Sequence, residues 1–224
     1  MAYSTISKPS LNFNTKLYTG NGATSTAGTL ARTITGVGFQ PDFTWVKERT
    51  AVAGGYDSFG LHDVVRTAPK WLRSNGTDAE ADVTTGFNSG GIGSFTSDGF
   101  GIYSGTTGST NNYNNNSANY VAWNWKAGGT GSSNSDGTIT STVSANTTAG
   151  FSIVTYTGNG QTASFGHGLS TPDIVLIKDR TDAGNEWYFH TTAIDGSEDY
   201  LRLNSNGTKS DASSGYSIGA SVFN

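Results

Sequence analysis

The sequence contains no cysteine and few charged residues, and both scarcities exclude classes of protein. Without cysteine, the chain has no disulfide and no thiolate-ligated metal site. Charged residues make up 13% of the 224 residues, about half of the usual quarter. This shortage argues against long surface helices, which normally carry Lys and Glu. The net charge of −4 gives no basic footprint for nucleic acid, so we expect no nucleic-acid partner.

Long apolar runs are also missing. None approaches the roughly 20 residues that a helix needs to cross a bilayer, so we expect no membrane insertion. The N-terminal residues do not form the charged and apolar segments of a secretory signal. Proline is scarce, with 4 residues, whereas glycine is abundant, with 31. Glycine with much Ser, Thr and Asn suits short strands joined by tight turns, so the composition predicts an all-β fold.

One stretch of the sequence occurs twice. Residues 41–50 read as a Pro-Asp turn, an apolar strand and a charged end, and residues 172–181 repeat that pattern. Upstream, the alternating stretches 13–22 and 151–160 both run into Asn-Gly, which is the strongest short hairpin signal. A repeat of this kind predicts two tandem units of one β-rich fold.

We predict tandem antiparallel β-sandwich units of the jelly-roll type, the second of them incomplete. The second copy stops sooner after its Ser-Asn-Gly-Thr motif than the first, and lacks counterparts of the strands around Phe100 and Trp123. An incomplete sandwich leaves an open sheet edge, which a neighbouring chain can pair, so we expect self-association. The predicted divisions are an N-terminal arm at residues 1–12, a first unit at 13–128, a Gly/Ser linker at 129–137 and a second unit at 138–224.

Strand alternation also predicts which side chains form the cores, because successive residues of a strand point to opposite faces. In residues 120–126, one face carries Tyr and Ala, whereas the other carries Val and two Trp residues. The residues expected to point inward are Phe43, Trp45, Ile174 and Leu176 on the repeated strand and Val121, Trp123 and Trp125 on the later one.

Candidate binding residues fall into two sets. Trp71 and Tyr113 stand in turn or loop contexts, where exposed rings could stack on sugars, although strand aromatics usually belong to cores. The second set consists of cations two residues apart, which would share one strand face and form either an anion- or sugar-contacting ridge or ordinary solubilising side chains. This set is Lys47 and Arg49, repeated as Lys178 and Arg180.

Catalytic and metal chemistry have weaker signals. Two acidic clusters could bind calcium, supply the two carboxyls of a glycanase, or simply face solvent. The three histidines do not stand at metal-ligand spacing, and the Gly-x-Ser-x-Gly pattern at residues 215–219 has no later histidine. We therefore expect no enzyme, no metal and no cofactor, with calcium as the alternative. The acidic clusters are Asp78, Glu80 and Asp82, and Asp195, Glu198 and Asp199.

Several stretches resemble a repeat family of predicted virion proteins in marine bacteriophages, including those that infect cyanobacteria and SAR11-type bacteria. The resembling stretches include the repeated motifs above and span nearly the whole chain; they are residues 7–15, 18–22, 34–42, 62–66 and 120–129. The resemblance implies concanavalin-type jelly-roll sandwiches strung along tail or fibre proteins. It brings no catalytic residues.

The role implied by this resemblance is a structural or host-contacting appendage such as a tail fibre. The implied partners are other copies of the chain, other virion proteins and a host-surface glycan. The protein would be made in the bacterial cytoplasm and exposed on the particle. Two further functions stay open from the residues themselves, a free-standing carbohydrate-binding module and a polysaccharide depolymerase that uses Asp82 or Glu198.

Overall fold

A computed structural model describes residue 6 and residues 8–50, 59–86, 88–212 and 216–224. The described residues form many short antiparallel strands and one short α-helix, so the predicted all-β fold is confirmed. The chain divides into two compact units. Unit 1 comprises Met1–Arg73 and Glu80–Lys126, and unit 2 comprises Ser74–Ala79 and Ala127–Asn224.

Unit 1 consists of two antiparallel sheets. The large sheet has the strand order β1-β9-β3-β4-β5-β6, and the small sheet has the order β2-β8-β7. A 3-10 helix, Pro9–Leu11, precedes β1, and helix α1, Asn111–Asn114, precedes β9. The strands are β1 (Phe13–Thr19), β2 (Leu30–Thr35), β3 (Phe43–Glu48), β4 (Phe59–Asp63), β5 (Lys70–Arg73), β6 (Ala81–Asp82), β7 (Gly91–Thr96), β8 (Gly99–Tyr103) and β9 (Asn119–Trp125).

The two sheets of unit 1 share one hydrophobic core. Tyr18 and Tyr120 of the large sheet stack with their ring centroids 4.9 Å apart, and Phe100 of the small sheet meets Tyr18 edge-on at 6.2 Å. Ile34 and Ile102 of the small sheet are buried in the same cluster. Burial of apolar surface between facing sheets is what holds a β-sandwich together.

The inward face of β9 is the opposite of the one predicted. Tyr120, Ala122 and Asn124 point into the core and are fully buried, whereas Trp123 and Trp125 are half-buried on the outer face. Tyr120 can be buried because its hydroxyl has partners. It accepts a hydrogen bond from the Asn115 backbone N–H at 2.9 Å and donates one to a Glu48 carboxylate oxygen at 3.3 Å.

Asn124 is satisfied in the same way. Its side-chain amide donates to the backbone carbonyl oxygens of Ala122 and Asn14 at 3.0 and 3.2 Å. Its amide oxygen accepts a hydrogen bond from the Thr44 hydroxyl at 3.0 Å. A buried polar side chain costs little when it is hydrogen-bonded, so the polar face can lie inside.

The repeated strand is inverted for the same reason. In β3, Thr44, Val46 and Glu48 are buried, whereas Phe43 and Trp45 are half-buried on the outer face. The prediction that Phe43 and Trp45 point inward is therefore wrong. The prediction for Ile174 and Leu176 in unit 2 is also wrong, because both are exposed.

Unit 2 contains three sheets in its described residues. Their strand orders are β10-β11-β12, β13-β18 and β14-β15-β16-β17. The strands are β10 (Ser132–Asn134), β11 (Ser141–Asn146), β12 (Phe151–Tyr156), β13 (Phe165–Gly166), β14 (Ile174–Ile177), β15 (Tyr188–Thr191), β16 (Asp199–Arg202), β17 (Ser210–Asp211) and β18 (Val222–Phe223).

Strand β10 lies inside the stretch predicted to be a Gly/Ser linker, residues 129–137. Ser132 pairs with Val143 and Asn134 with Ser141, so this stretch is part of a sheet rather than a tether. The division between the units falls after Lys126. Short polar residues permitted a strand here because β11 supplies the pairing, which composition does not reveal.

The internal repeat is visible in the order of the strands. The four-stranded sheet β14-β15-β16-β17 repeats the order β3-β4-β5-β6, and β14 carries the second copy of the Pro-Asp motif. The pair β13-β18 matches β2-β8, so the prediction that the second unit lacks a counterpart of the Phe100 strand is wrong. Strand β12 matches β1 through the shared Tyr-Thr-Gly-Asn-Gly motif. The two units are therefore built on one plan.

The inverted face can be tested by comparing neighbouring strands. We expect Tyr120→Ala to lower the free energy of unfolding of unit 1 by about 3–5 kcal/mol, as for other buried aromatic residues. Leu17→Ala, on the exposed outer face of β1, is the control and should change it by about 0.5 kcal/mol or less. Urea unfolding measures both, and equal losses would contradict this orientation of the sheet.

Candidate binding surface

Five aromatic rings lie side by side on the outer surface of the large sheet, and we call them the aromatic face. In the register of the sheet, Phe13 pairs with Trp125 and Trp125 pairs with Phe43, while Trp123 pairs with Trp45. The ring centroids of these three pairs are 4.8, 5.4 and 6.1 Å apart. The rings therefore lie on one face of β1, β9 and β3, as a group of three and a neighbouring pair.

Strand alternation creates this patch. Because Tyr120, Ala122 and Asn124 occupy the inward positions of β9, the two Trp residues between and after them must point outward. Cross-strand aromatic pairs stabilise a sheet by roughly 0.2–1 kcal/mol each, so the same rings also hold the strands in register.

The edge of the aromatic face is open to solvent. Phe13, on edge strand β1, is 39% exposed, and Leu17 on the same strand is also exposed. On the other side of the patch, the Lys47 ammonium lies 4.7 Å from the centroid of the Phe59 ring, a cation–π contact. Large exposed apolar patches on a folded domain mark interaction surfaces.

Trp71 and Tyr113 do not belong to this surface. Each is only 2% exposed, so the expectation that they are surface rings is wrong. The Tyr113 hydroxyl lies 2.8 Å from His62 Nε2, and the other ring nitrogen of His62 lies 2.7 Å from the Ala68 carbonyl oxygen. A Cβ on Gly60 would lie 1.7 Å from the Tyr113 hydroxyl oxygen, so only glycine fits there.

His62 is a structural residue rather than a general base. Burial lowers the pKa of His62 to about 3, so its ring is neutral at ordinary pH. Neutral imidazole has one donor and one acceptor, so Nδ1–H donates to Ala68 and Nε2 accepts from the Tyr113 hydroxyl. Burial also raises the pKa of Tyr113, which keeps that hydroxyl protonated.

The four predicted cations do not form pairs that share one strand face. Lys47 lies on the outer face of β3, but β3 ends at Glu48, and Arg49 follows it in an exposed position. Lys178 and Arg180 lie beyond the end of β14. The Lys178 ammonium donates to the Asp179 carbonyl oxygen at 2.7 Å, and partial burial lowers the pKa of Lys178.

The acidic cluster of unit 2 already surrounds a cation. The Lys209 ammonium lies 2.5 Å from an Asp195 carboxylate oxygen, 2.8 Å from one of Asp199 and 3.2 Å from one of Asp211. These hydrogen bonds raise the pKa of Lys209, and the one to Asp195 has the largest effect. A calcium ion would need the oxygen atoms that this ammonium occupies.

Asp82 and Glu198 belong to different units. In unit 1, Asp82 accepts hydrogen bonds from Thr84 and lies 3.4 Å from the Lys70 ammonium. In unit 2, Glu198 accepts the Ile218 backbone N–H at 3.2 Å, and desolvation raises its pKa. Across the described part of the chain, no group of three His, Cys, Asp or Glu residues could hold a metal ion.

The serine of the Gly-x-Ser-x-Gly pattern has a local partner. The Asn224 side-chain amide donates to the Ser217 hydroxyl oxygen at 2.7 Å. Gly215, the first residue of the pattern, lies outside the described residues.

One family model matches the chain, from residue 8 to residue 223, and is described as a domain of unknown function (DUF7483). The chain belongs to the DUF7483 family. The matched range contains the aromatic face and the strands of both units, so the family pattern includes the tandem repeat. No curated protein and no solved structure matches this DUF7483 chain.

No helix in the portion that the structure describes is both long and apolar enough to cross a membrane.

The buried His62 makes the stability of unit 1 depend on pH. Its pKa is lower in the folded chain than in the unfolded one, about 6.5, so the unfolded chain binds the proton first as the pH falls. The free energy of unfolding should fall by up to about 1.4 kcal/mol per pH unit below pH 6.5, until the folded pKa is reached.

Urea unfolding at pH 7 and pH 5 measures this effect before most carboxylates titrate. His62→Gln should be less stable at pH 7 but lose less on acidification. An equal loss in the variant and the parent chain would show that His62 does not titrate in this way.

Proposed function

We propose that this protein is a non-catalytic module of a virion appendage of the tail-fibre type, which contacts host-surface saccharide through the aromatic face. The virion assignment rests on the sequence resemblance. The saccharide assignment rests on one observation, the five neighbouring rings on the outer surface of the large sheet.

Aromatic rings at a protein surface suit sugars for a physical reason. One face of a pyranose ring carries axial C–H bonds, which pack against the electron-rich face of an aromatic ring. The Trp and Phe side chains of the aromatic face lose little conformational entropy on binding because the sheet already fixes them. Phe13 provides an accessible rim to the patch because it lies on the edge strand.

The charge of the chain favours neutral saccharide over acidic polymers. The net charge is −4, and Lys47 is the only charged side chain at the outward positions of β1, β3 and β9. Polyanions need an array of cations to offset the repulsion from a negative protein. A neutral glycan is therefore the ligand that this surface fits best.

The same outward positions lack the groups that a depolymerase needs. Glycoside hydrolysis uses two carboxyl groups that flank the scissile bond. None of the outward residues of these three strands is acidic. We therefore favour binding over cleavage, and release of reducing ends from a polysaccharide would overturn this choice.

For each unit we propose a concanavalin-like jelly roll as the finer fold. This proposal is supported in unit 1 by two antiparallel sheets that share one core. Tandem copies of such a unit suit an extended fibre, in which neighbouring copies and other virion proteins are the partners.

Affinity gel electrophoresis tests the saccharide proposal with dextran, laminarin and hydroxyethylcellulose as neutral polymers and alginate as the acidic one. We expect at least one neutral polymer to retard the full chain, because its sugar rings stack on the aromatic face. The double variant Phe13→Ala with Trp125→Ala should lose this retardation.

Tyr216→Ala is the matched control, because Tyr216 is an exposed aromatic residue of unit 2. It should be retarded as strongly as the parent chain. Retardation by alginate alone, retardation that survives in the double variant, or none with any polymer would each contradict the proposal.

A further inference from the structure

The two units differ at one place in their shared plan. In unit 1, β9 lies between β1 and β3 and is paired with both along its length. The matching strands of unit 2 are β12 and β14. Among the described strands, β12 pairs with β11 alone and β14 with β15 alone, so each has an unpaired edge and no counterpart of β9 joins them.

The side chains beside this gap are exposed where their counterparts are covered. Tyr18 of β1 is 9% exposed because the Tyr120 ring of β9 stacks on it. Its counterpart Tyr156 is 39% exposed and stacks only on Phe165 within the described rings. The loss of one neighbouring ring accounts for this difference.

Strand β14 shows the same effect. Ile174 is 51% exposed and Leu176 is 39% exposed, whereas their counterparts Phe43 and Trp45 are half-buried beside the Trp residues of β9. Exposed branched aliphatic residues on an edge strand favour pairing with another chain.

Neither strand beside the gap carries the residues that usually protect an edge strand from pairing with another chain. Proteins guard open edges with charged residues, proline or bulges. The sequences of β12 and β14, FSIVTY and IVLI, contain no charged residue and no proline. Both also pair in an unbroken register with their own neighbours.

We propose that unit 2 is a strand acceptor, in which an uncharged β-strand with the chemistry of β9 inserts antiparallel between β12 and β14. Unit 1 defines the chemistry of that strand, because β9 fills the equivalent place. Its inward residues would be an aromatic residue, a small residue and an amide, as in Tyr120, Ala122 and Asn124. Its backbone would pair with both open edges, and its aromatic ring would stack on Tyr156.

A synthetic peptide of residues 118–126, ANYVAWNWK, is the probe for this site. Labelled peptide is titrated with the full chain, and binding is followed by fluorescence anisotropy. We expect one peptide per chain, because β9 already fills the place in unit 1. Hydrogen exchange should slow in β12 and β14 and stay unchanged in β1 and β3.

Two controls separate strand insertion from non-specific adhesion. The peptide with Ala122→Pro loses a backbone N–H and should not bind. In the chain, Tyr156→Ala should weaken binding about threefold to tenfold through the lost ring stack. Leu30→Ala removes an exposed side chain of unit 1 and should leave binding unchanged.

Absence of binding would overturn the proposal, as would equal binding of the proline peptide. Slower exchange confined to β1 and β3 would also overturn it, since the peptide would then be replacing β9 in unit 1. If the chain forms an assembly that the peptide dissociates, the acceptor site is supported and its donor is a second copy. These outcomes do not depend on saccharide binding, so the two proposals can fail separately.

Discussion

Buried hydrogen-bonding groups decide which face of the large sheet points inward. The Tyr120 hydroxyl, the Asn124 amide and the Thr44 hydroxyl each have partners inside unit 1. A buried polar group without a partner costs about 1–3 kcal/mol, so each of these residues can be buried only where its partners lie. Once they are, the alternation of the strands fixes the position of every other side chain on the sheet.

The aromatic face is a consequence of that choice. With Tyr and Asn inside, Trp123 and Trp125 must lie outside, and the register brings them against Phe43, Trp45 and Phe13. The His62–Tyr113 pair follows the same principle near β5. There a neutral histidine and a buried hydroxyl satisfy each other, and Gly60 leaves space for the contact. Unit 1 therefore buries polar side chains that have partners beside the apolar residues of its core.

The sequence predicted the all-β fold class well, because that class depends on features that recur along the chain. Glycine content and Asn-Gly turns indicated short strands, and the Pro-Asp motif marked equivalent strands in both units. The orientation of β3 and β9 was not predictable from hydrophobicity, since Val and Trp are more apolar than Tyr, Ala and Asn. Glu48 and Asn115, the hydrogen-bond partners that allow Tyr120 to be buried, are distant in sequence from one another.

The burial of Trp71 and Tyr113 was unpredictable for a related reason. Both stand in turn-like sequence, which favours exposure, but β5 and α1 carry both into the core. One signal that could have found the aromatic face was in the sequence. Residues 120–126 place two Trp residues on one face and two hydrogen-bonding side chains on the other, and either face could be buried.

Hydroxyl-radical footprinting with mass spectrometry tests most directly whether the polar face lies inside and the aromatic face outside. The account predicts oxidation of Phe13 and Trp125 in the folded chain, with Trp71, Tyr113 and Tyr120 protected until it unfolds. Protection of Phe13 and Trp125 together with oxidation of Tyr120 would contradict it, because the large sheet would then present its other face to solvent.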